Sequence, residues 1–147
     1  MSLLLTIPGS SFAALQLTVI LEPAFGRLFS GAANRQFILN TDGTISGPDA
    51  ADYLDGARSG ELEVHNTGQV VSLNIVVENI TPTGGVTVNG ALCRYHNLAQ
   101  AACDGGGMTV NGGPRRSLYI GLDISTSQIH SGGELISITM DVTVTII

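Results

Sequence analysis

Ile136, Ile138, Met140, Val142, Val144 and Ile146 alternate with Ser137, Thr139, Asp141, Thr143 and Thr145 without a break. A side-chain period of two places the apolar set on one face of an extended strand and the polar set on the other. A helix built from the same residues would scatter its apolar side chains around the whole cylinder. The pattern recurs along the chain. Leu15, Leu17, Val19 and Leu21 enclose Gln16, Thr18 and Ile20; Val71, Leu73, Ile75 and Val77 enclose Ser72, Asn74 and Val76; Leu118, Ile120 and Leu122 alternate and Ile124 follows. Glu61-Leu62-Glu63-Val64-His65 reads as a half-exposed strand, Phe37-Ile38-Leu39 as a short one, and Val86, Val88 and Leu92 as another behind Gly84-Gly85. No window of a dozen residues carries apolar positions at helical spacing. Residues 48–54 and 97–102 hold a helical turn at most, the first with Pro48 suited to a first helical position and Gly56 as its stop.

Turn residues punctuate these runs at Asn40-Thr41-Asp42-Gly43, Thr67-Gly68, Pro82-Thr83-Gly84-Gly85, Asp104-Gly105 and Asn111-Gly112-Gly113-Pro114. Asn89-Gly90 and Asn111-Gly112 each fit a two-residue hairpin turn. Short strands separated by such signals predict an all-β fold, an antiparallel sandwich or barrel. No repeat or linker divides the 147 residues, a length suited to one domain with a substantial core.

Charged residues are 12% and the net charge is −6, with six arginines and no lysine. A nucleic-acid partner is not expected, because phosphate recognition needs a basic face. The best apolar run, residues 12–21, is interrupted by Gln16 and too short to span a bilayer. Residues 1–13 read as an N-terminal extension ahead of a domain at 14–147. Leu3-Leu4-Leu5-Thr6-Ile7 resembles a short export-signal core without its basic flank. Equally, Leu3, Leu5 and Ile7 are the alternating face of a strand, followed by a Pro8-Gly9-Ser10-Ser11 hinge. Cys93 and Cys103 are the only cysteines. They are read as a disulfide that pins a loop in an oxidising compartment, the alternative being two buried thiols.

No catalytic constellation emerges. His65, His96 and His130 lie in no metal-ligand pattern. Asp42, Asp49, Asp52 and Asp55 lack the spacing and closing Glu of a calcium loop and read as a solvated acidic loop, which leaves weak Ca²⁺ binding open. No nucleophile elbow or phosphate loop is present. Aromatics are 5% with no Trp, which argues against a ring-stacking sugar module. Neither enzymatic activity nor a cofactor is expected.

Several segments resemble the secreted bacterial domain-of-unknown-function family 4402, a group of pilin-like β-sandwich proteins. They are Pro23-Ala24-Phe25-Gly26 with Gly31 after it; Asp42-Gly43-Thr44; Gly56-Ala57-Arg58-Ser59-Gly60-Glu61-Leu62-Glu63-Val64; Leu118-Tyr119-Ile120-Gly121-Leu122; and Ser131-Gly132-Gly133 before the closing strand. The resemblance covers 15–147, and the late turn lacks the family's Tyr. It implies an immunoglobulin-like or pilin-like sandwich, export to the bacterial periplasm or cell surface, and a part in fimbria-like structures, with no catalytic residues. The expected function is a structural subunit of an extracellular filament or surface layer, a homopolymer whose partners are copies of itself and an export chaperone. The alternatives are a monomeric adhesin or glycan-binding module, and a virion coat or decoration protein. The expected assembly mechanism is strand donation. Residues 2–7 would leave their own domain and bury Leu3, Leu5 and Ile7 in a neighbour. The groove edge would be the closing strand with Ile136, Ile138, Met140, Val142, Val144 and Ile146.

Overall fold

The computed structural model describes residues 2–6 (backbone), 15–28, 34–66, 71–127 and 136–147. Thirteen strands follow one another: β1 (Ser2–Thr6), β2 (Leu15–Leu21), β3 (Arg27–Leu28), β4 (Gln36–Leu39), β5 (Ile45–Ser46), β6 (Tyr53–Asp55), β7 (Gly60–Asn66), β8 (Ser72–Pro82), β9 (Val86–Tyr95), β10 (Ala101–Ala102), β11 (Met108–Asn111), β12 (Arg115–Thr126) and β13 (Ile138–Ile146). A single 3₁₀ turn, Ala50–Asp52, is all the helix among the described residues. It falls inside the 48–54 segment that the sequence marks as helix-tolerant. The other such segment, 97–102, instead forms a turn and then β10.

The fold is an all-β sandwich. One sheet runs β1-β13-β8-β11. The other is built around β12, which pairs antiparallel with β9 along most of its length. The opposite edge of β12 takes two partners in succession. Residues Arg115 to Ile120 pair with β7, and Leu122 to Ser125 pair with β4. Gly121 sits at the changeover. A Cβ on it would lie 2.1 Å from the Leu39 carbonyl oxygen, so only glycine lets β4 come this close. Beyond β7 lies β2, beyond β4 lies β5, and beyond β9 lies β10.

Alternation fills the space between the sheets. Leu73, Ile75 and Val77 from β8 and Ile138, Met140, Val142 and Val144 from β13 face Leu62, Val64, Ala91, Cys93, Leu118, Ile120, Leu122 and Ile124. Most are fully inaccessible, and each large aliphatic among them contributes roughly 1.5–3 kcal/mol over its exposed state. The intervening residues, such as Thr139, Glu63 and Tyr119, point outward in the period-two sense that the sequence implies.

Two expected hairpin turns take other forms. Asn89-Gly90 lies inside β9. The Asn89 side chain donates to Asp123 Oδ1 (3.0 Å) and Ser125 Oγ (2.8 Å) on β12, and the register shifts there. The pair therefore marks a strand irregularity that keeps β9 running. Asn111-Gly112 ends β11, where the Gly112 amide donates to the Val71 carbonyl (2.7 Å). The chain then crosses to β12 in the other sheet. Arg115 and Arg116 open that strand rather than forming a surface turn. By contrast, Asn40-Thr41-Asp42-Gly43 turns β4 into β5 as expected, with Gly43 N–H on Asn40 O (3.0 Å) and Asn40 N–H on Thr44 O (2.8 Å).

Candidate functional site

Cys93 and Cys103 are joined by a disulfide, and both are fully buried. Cys93 is an inward position of β9. Cys103 follows β10 and lies between the sheets. Its amide donates to Ala91 O (3.0 Å) on β9, and its carbonyl accepts from Val77 N–H (2.8 Å) on β8. One residue thus ties both sheets together, and the disulfide holds it in place. The loop between the cysteines is fastened from outside as well. Gln100 Oε1 accepts from Thr41 N–H (3.1 Å) and Thr41 Oγ1 (3.0 Å), and Gln100 Nε2 donates to Asn40 Oδ1 (3.1 Å). Arg94 stacks on the Tyr119 ring at 4.1 Å and donates to Thr41 Oγ1 (3.3 Å) and His96 O (3.1 Å).

The groove-edge residues face the core. Ile138, Met140, Val142 and Val144 are buried on β13; Ile136 is buried just before it and Ile146 is half-buried at its end. The edge of β13 away from β8 is taken by β1 of the same chain. The two run parallel, with Leu3 at the register of Met140 and Leu5 at that of Val142. Ile7 lies outside the described residues. Within the single chain, β1 closes its own sandwich. The physical reason is the tether. Residues 7–14 join β1 to β2, and a covalently held strand competes at an effective concentration that a free neighbour rarely reaches. All other pairings among the described strands are antiparallel.

The candidate chemical groups are dispersed. His65 lies on β7 in register with Arg115, His96 occupies a turn with φ of 53°, and His130 is outside the described residues. No group of three or more His, Cys, Asp or Glu among the described residues could hold a metal ion. Two carboxylates of the acidic loop are engaged within the protein. Asp42 accepts from Thr44 Oγ1 (2.6 Å) and Thr44 N–H (2.9 Å), which hold its pKa below the ordinary value. Asp49 accepts from Gln36 N–H (2.8 Å) and Arg35 Nη1 (2.9 Å), with the same consequence. Tyr53 donates to Phe25 O (2.8 Å), and burial raises its pKa.

Besides a hollow of about 470 Å³ lined by Ala24, Gly26, Arg27, Asp55, Arg58 and Ile136, two others went unmarked in the sequence. A groove of about 300 Å³ is lined by Ile80, Pro82, Val86, Val88, Gly90 and Asp104. A cleft of about 330 Å³ is lined by Tyr95, His96, Leu98, Gly113, Pro114 and Arg116. The groove takes seven of its eight lining residues from Ile80 to Gly90, Thr87 and Asn89 among them, and the eighth, Asp104, from beyond the disulfide; the cleft joins 95–98 to 111–116. Among the described residues, no helix is long and apolar enough to cross a membrane. No family model matches the sequence, and no curated protein or solved structure is similar to it.

Proposed function

We propose that the protein is a structural subunit of an extracellular fimbria-like filament or surface layer, built from copies of itself. The observation that carries this reading is the closure of β13. The final strand presents four buried apolar side chains along an edge that needs a partner, and the partner is a tethered N-terminal strand in parallel register. Such a domain is complete as a building block, with its long closing strand shielded from uncontrolled pairing. The buried disulfide between the sheets supports service in an oxidising compartment. The expectation drawn from sequence segments that resemble secreted pilin-like domains runs in the same direction. In place of donation between neighbours, β1 acts in cis, and subunits meet through other surfaces.

Negative-stain microscopy of the native material tests this. Filaments or layers of a repeating subunit support the reading. Closed shells or monodisperse particles at every concentration overturn it. The closure itself is read by placing cysteines at Leu4→Cys and Asp141→Cys, which share a register position. With both in one chain, oxidation yields a cross-linked monomer. Efficient cross-linking between one chain carrying only Leu4→Cys and another carrying only Asp141→Cys would restore donation between neighbours.

A further inference from the structure

Four of the six arginine side chains of this acidic chain hold partners beyond an adjacent residue among the described residues, Arg58 through Glu22 O at 2.9 Å; Arg27 and Arg116 do not. Arg35 pairs with Asp49 at 2.9 Å and Arg115 with Glu63 at 3.5 Å. Arg94 is held by Thr41, His96 O and the Tyr119 ring. Arg116 differs. Its guanidinium folds over Gly113, where a Cβ would lie 2.8 Å from Nε. Its hydrogen bond is to Arg115 O at 3.4 Å, and it has no carboxylate partner among the described residues. It lines the cleft beside Pro114, His96 and Leu98, whose side chain is 47% exposed.

The other hollow carries the opposite charge. Asp104 lines the groove of Ile80, Pro82, Val86 and Val88. Its carboxylate has neither an ion pair nor a side-chain hydrogen bond among the described residues. The hollows lie at opposite ends of one element. The groove takes the first half of β9 and the cleft its end, Tyr95 and the turn beyond. Seven residues of strand, roughly 23 Å, separate Val88 from Tyr95.

From this pairing we infer that the occupant of each hollow is a second copy of the chain, docked head to tail. Leu98 of one copy enters the apolar groove of the next, and Arg116 meets Asp104 there. The occupant is chosen by complementarity: at one end a cation with no carboxylate partner among the described residues beside the exposed Leu98, at the other the Asp104 carboxylate over a groove of Ile80, Pro82, Val86 and Val88 with Thr87 and Asn89. Two unlike patches make a heterologous contact, which propagates instead of closing into a dimer. The inference rests on the structural-subunit reading and names the contact through which that subunit grows.

The test uses the full chain and two charge reversals, Arg116→Glu and Asp104→Arg, with sedimentation equilibrium as the readout. Arg116→Glu alone sets Glu against Asp104, and Asp104→Arg alone sets Arg against Arg116. Each variant should associate at least about tenfold more weakly than the parent. Mixed in equal amounts, every contact joins opposite charges, and association should return to within about threefold of the parent. That recovery also shows both variants folded. Leu98→Glu, an exposed substitution, should weaken association in every background. A parent that associates while neither reversal weakens it, or a mixture no stronger than its parts, overturns the head-to-tail contact and leaves the subunit reading intact. A parent that stays monomeric overturns both.

Discussion

Removing the disulfide is the perturbation whose size the structure defines most closely. Cys93 and Cys103 are ten residues apart in sequence. Closing a loop of that length in the unfolded chain removes about 9 cal/mol/K of entropy, which corresponds to about 2.7 kcal/mol at 25 °C. A chain of 147 residues unfolds with an entropy near 310 cal/mol/K at its midpoint, from roughly 2.1 cal/mol/K per residue. The ratio gives a loss of about 9 °C in Tm for the Cys93→Ala/Cys103→Ala variant. Thermal unfolding followed by circular dichroism, with no reductant for the parent, measures it. Hydrogen exchange separates the source of the loss. If the bond acts through the unfolded chain, the Val77 amide, which donates to Cys103 O, stays protected up to the lowered global stability. If the bond instead holds the loop in the folded state, that amide opens locally in the variant. A loss below 1 kcal/mol would refute the loop-entropy reasoning, because nothing else in the variant is stabilising enough to hide the effect.

Two further outcomes follow from single contacts. Gly121→Ala should destabilise by about 2 kcal/mol or more in denaturant unfolding, since its Cβ meets the Leu39 carbonyl, a backbone atom with no flexible side chain to yield; an unchanged midpoint would place β4 elsewhere. The Asp49 pKa lies below its usual 3.8 through the Gln36 amide and Arg35, so its contribution is present above that value and is lost as pH falls through the folded pKa. Asp49→Asn should therefore narrow its stability gap from the parent in titrations below pH 3.8, and a gap that widens toward acid would contradict this sign.

Alternation made the long strands legible. β2, β4, β7, β8, β9, β12 and β13 all coincide with runs of period two or short apolar runs in the sequence, because each buries one face in a common core. The strands of two or three residues were not legible. β3, β5, β6 and β10 hold too few side chains to show a period, and only pairing with a neighbour makes them strands. The cysteine pair was readable from its isolation in a chain of low charge. Its place between the sheets was not, because that depends on hydrogen bonds to Ala91 and Val77. Asn89-Gly90 misled for a definite reason. A hairpin dipeptide specifies a turn only where strands end on both sides, and here Asp123 and Ser125 of β12 hold Asn89 within the ladder. The N-terminal alternation of Leu3 and Leu5 correctly signalled a strand, but a period of two carries no information about which molecule supplies the partner.

Edge lengths bear on the direction of growth. A sandwich extends sideways by adding strands to open edges, and each added residue contributes ladder bonds only where the edge is long and regular. The outermost strands of the two sheets are short or irregular. β10 and β5 have two residues each, β11 has four and β1 five. β2 has seven, but its register with β7 shifts between Val19 and Leu21, a distortion that twists an edge away from flat pairing. On the side away from β12, β9 pairs only at Leu92 and Cys93, with β10, and its two ends hold hollows whose charges have no ion pair among the described residues. End-to-end contact through these hollows gains both apolar burial and an ion pair. A polymer of this chain should accordingly run along the strand direction of β9. Fibre diffraction or image reconstruction would then find the subunit's strands nearly parallel to the filament axis, and strands stacked across the axis, as in sheet extension, would defeat the argument.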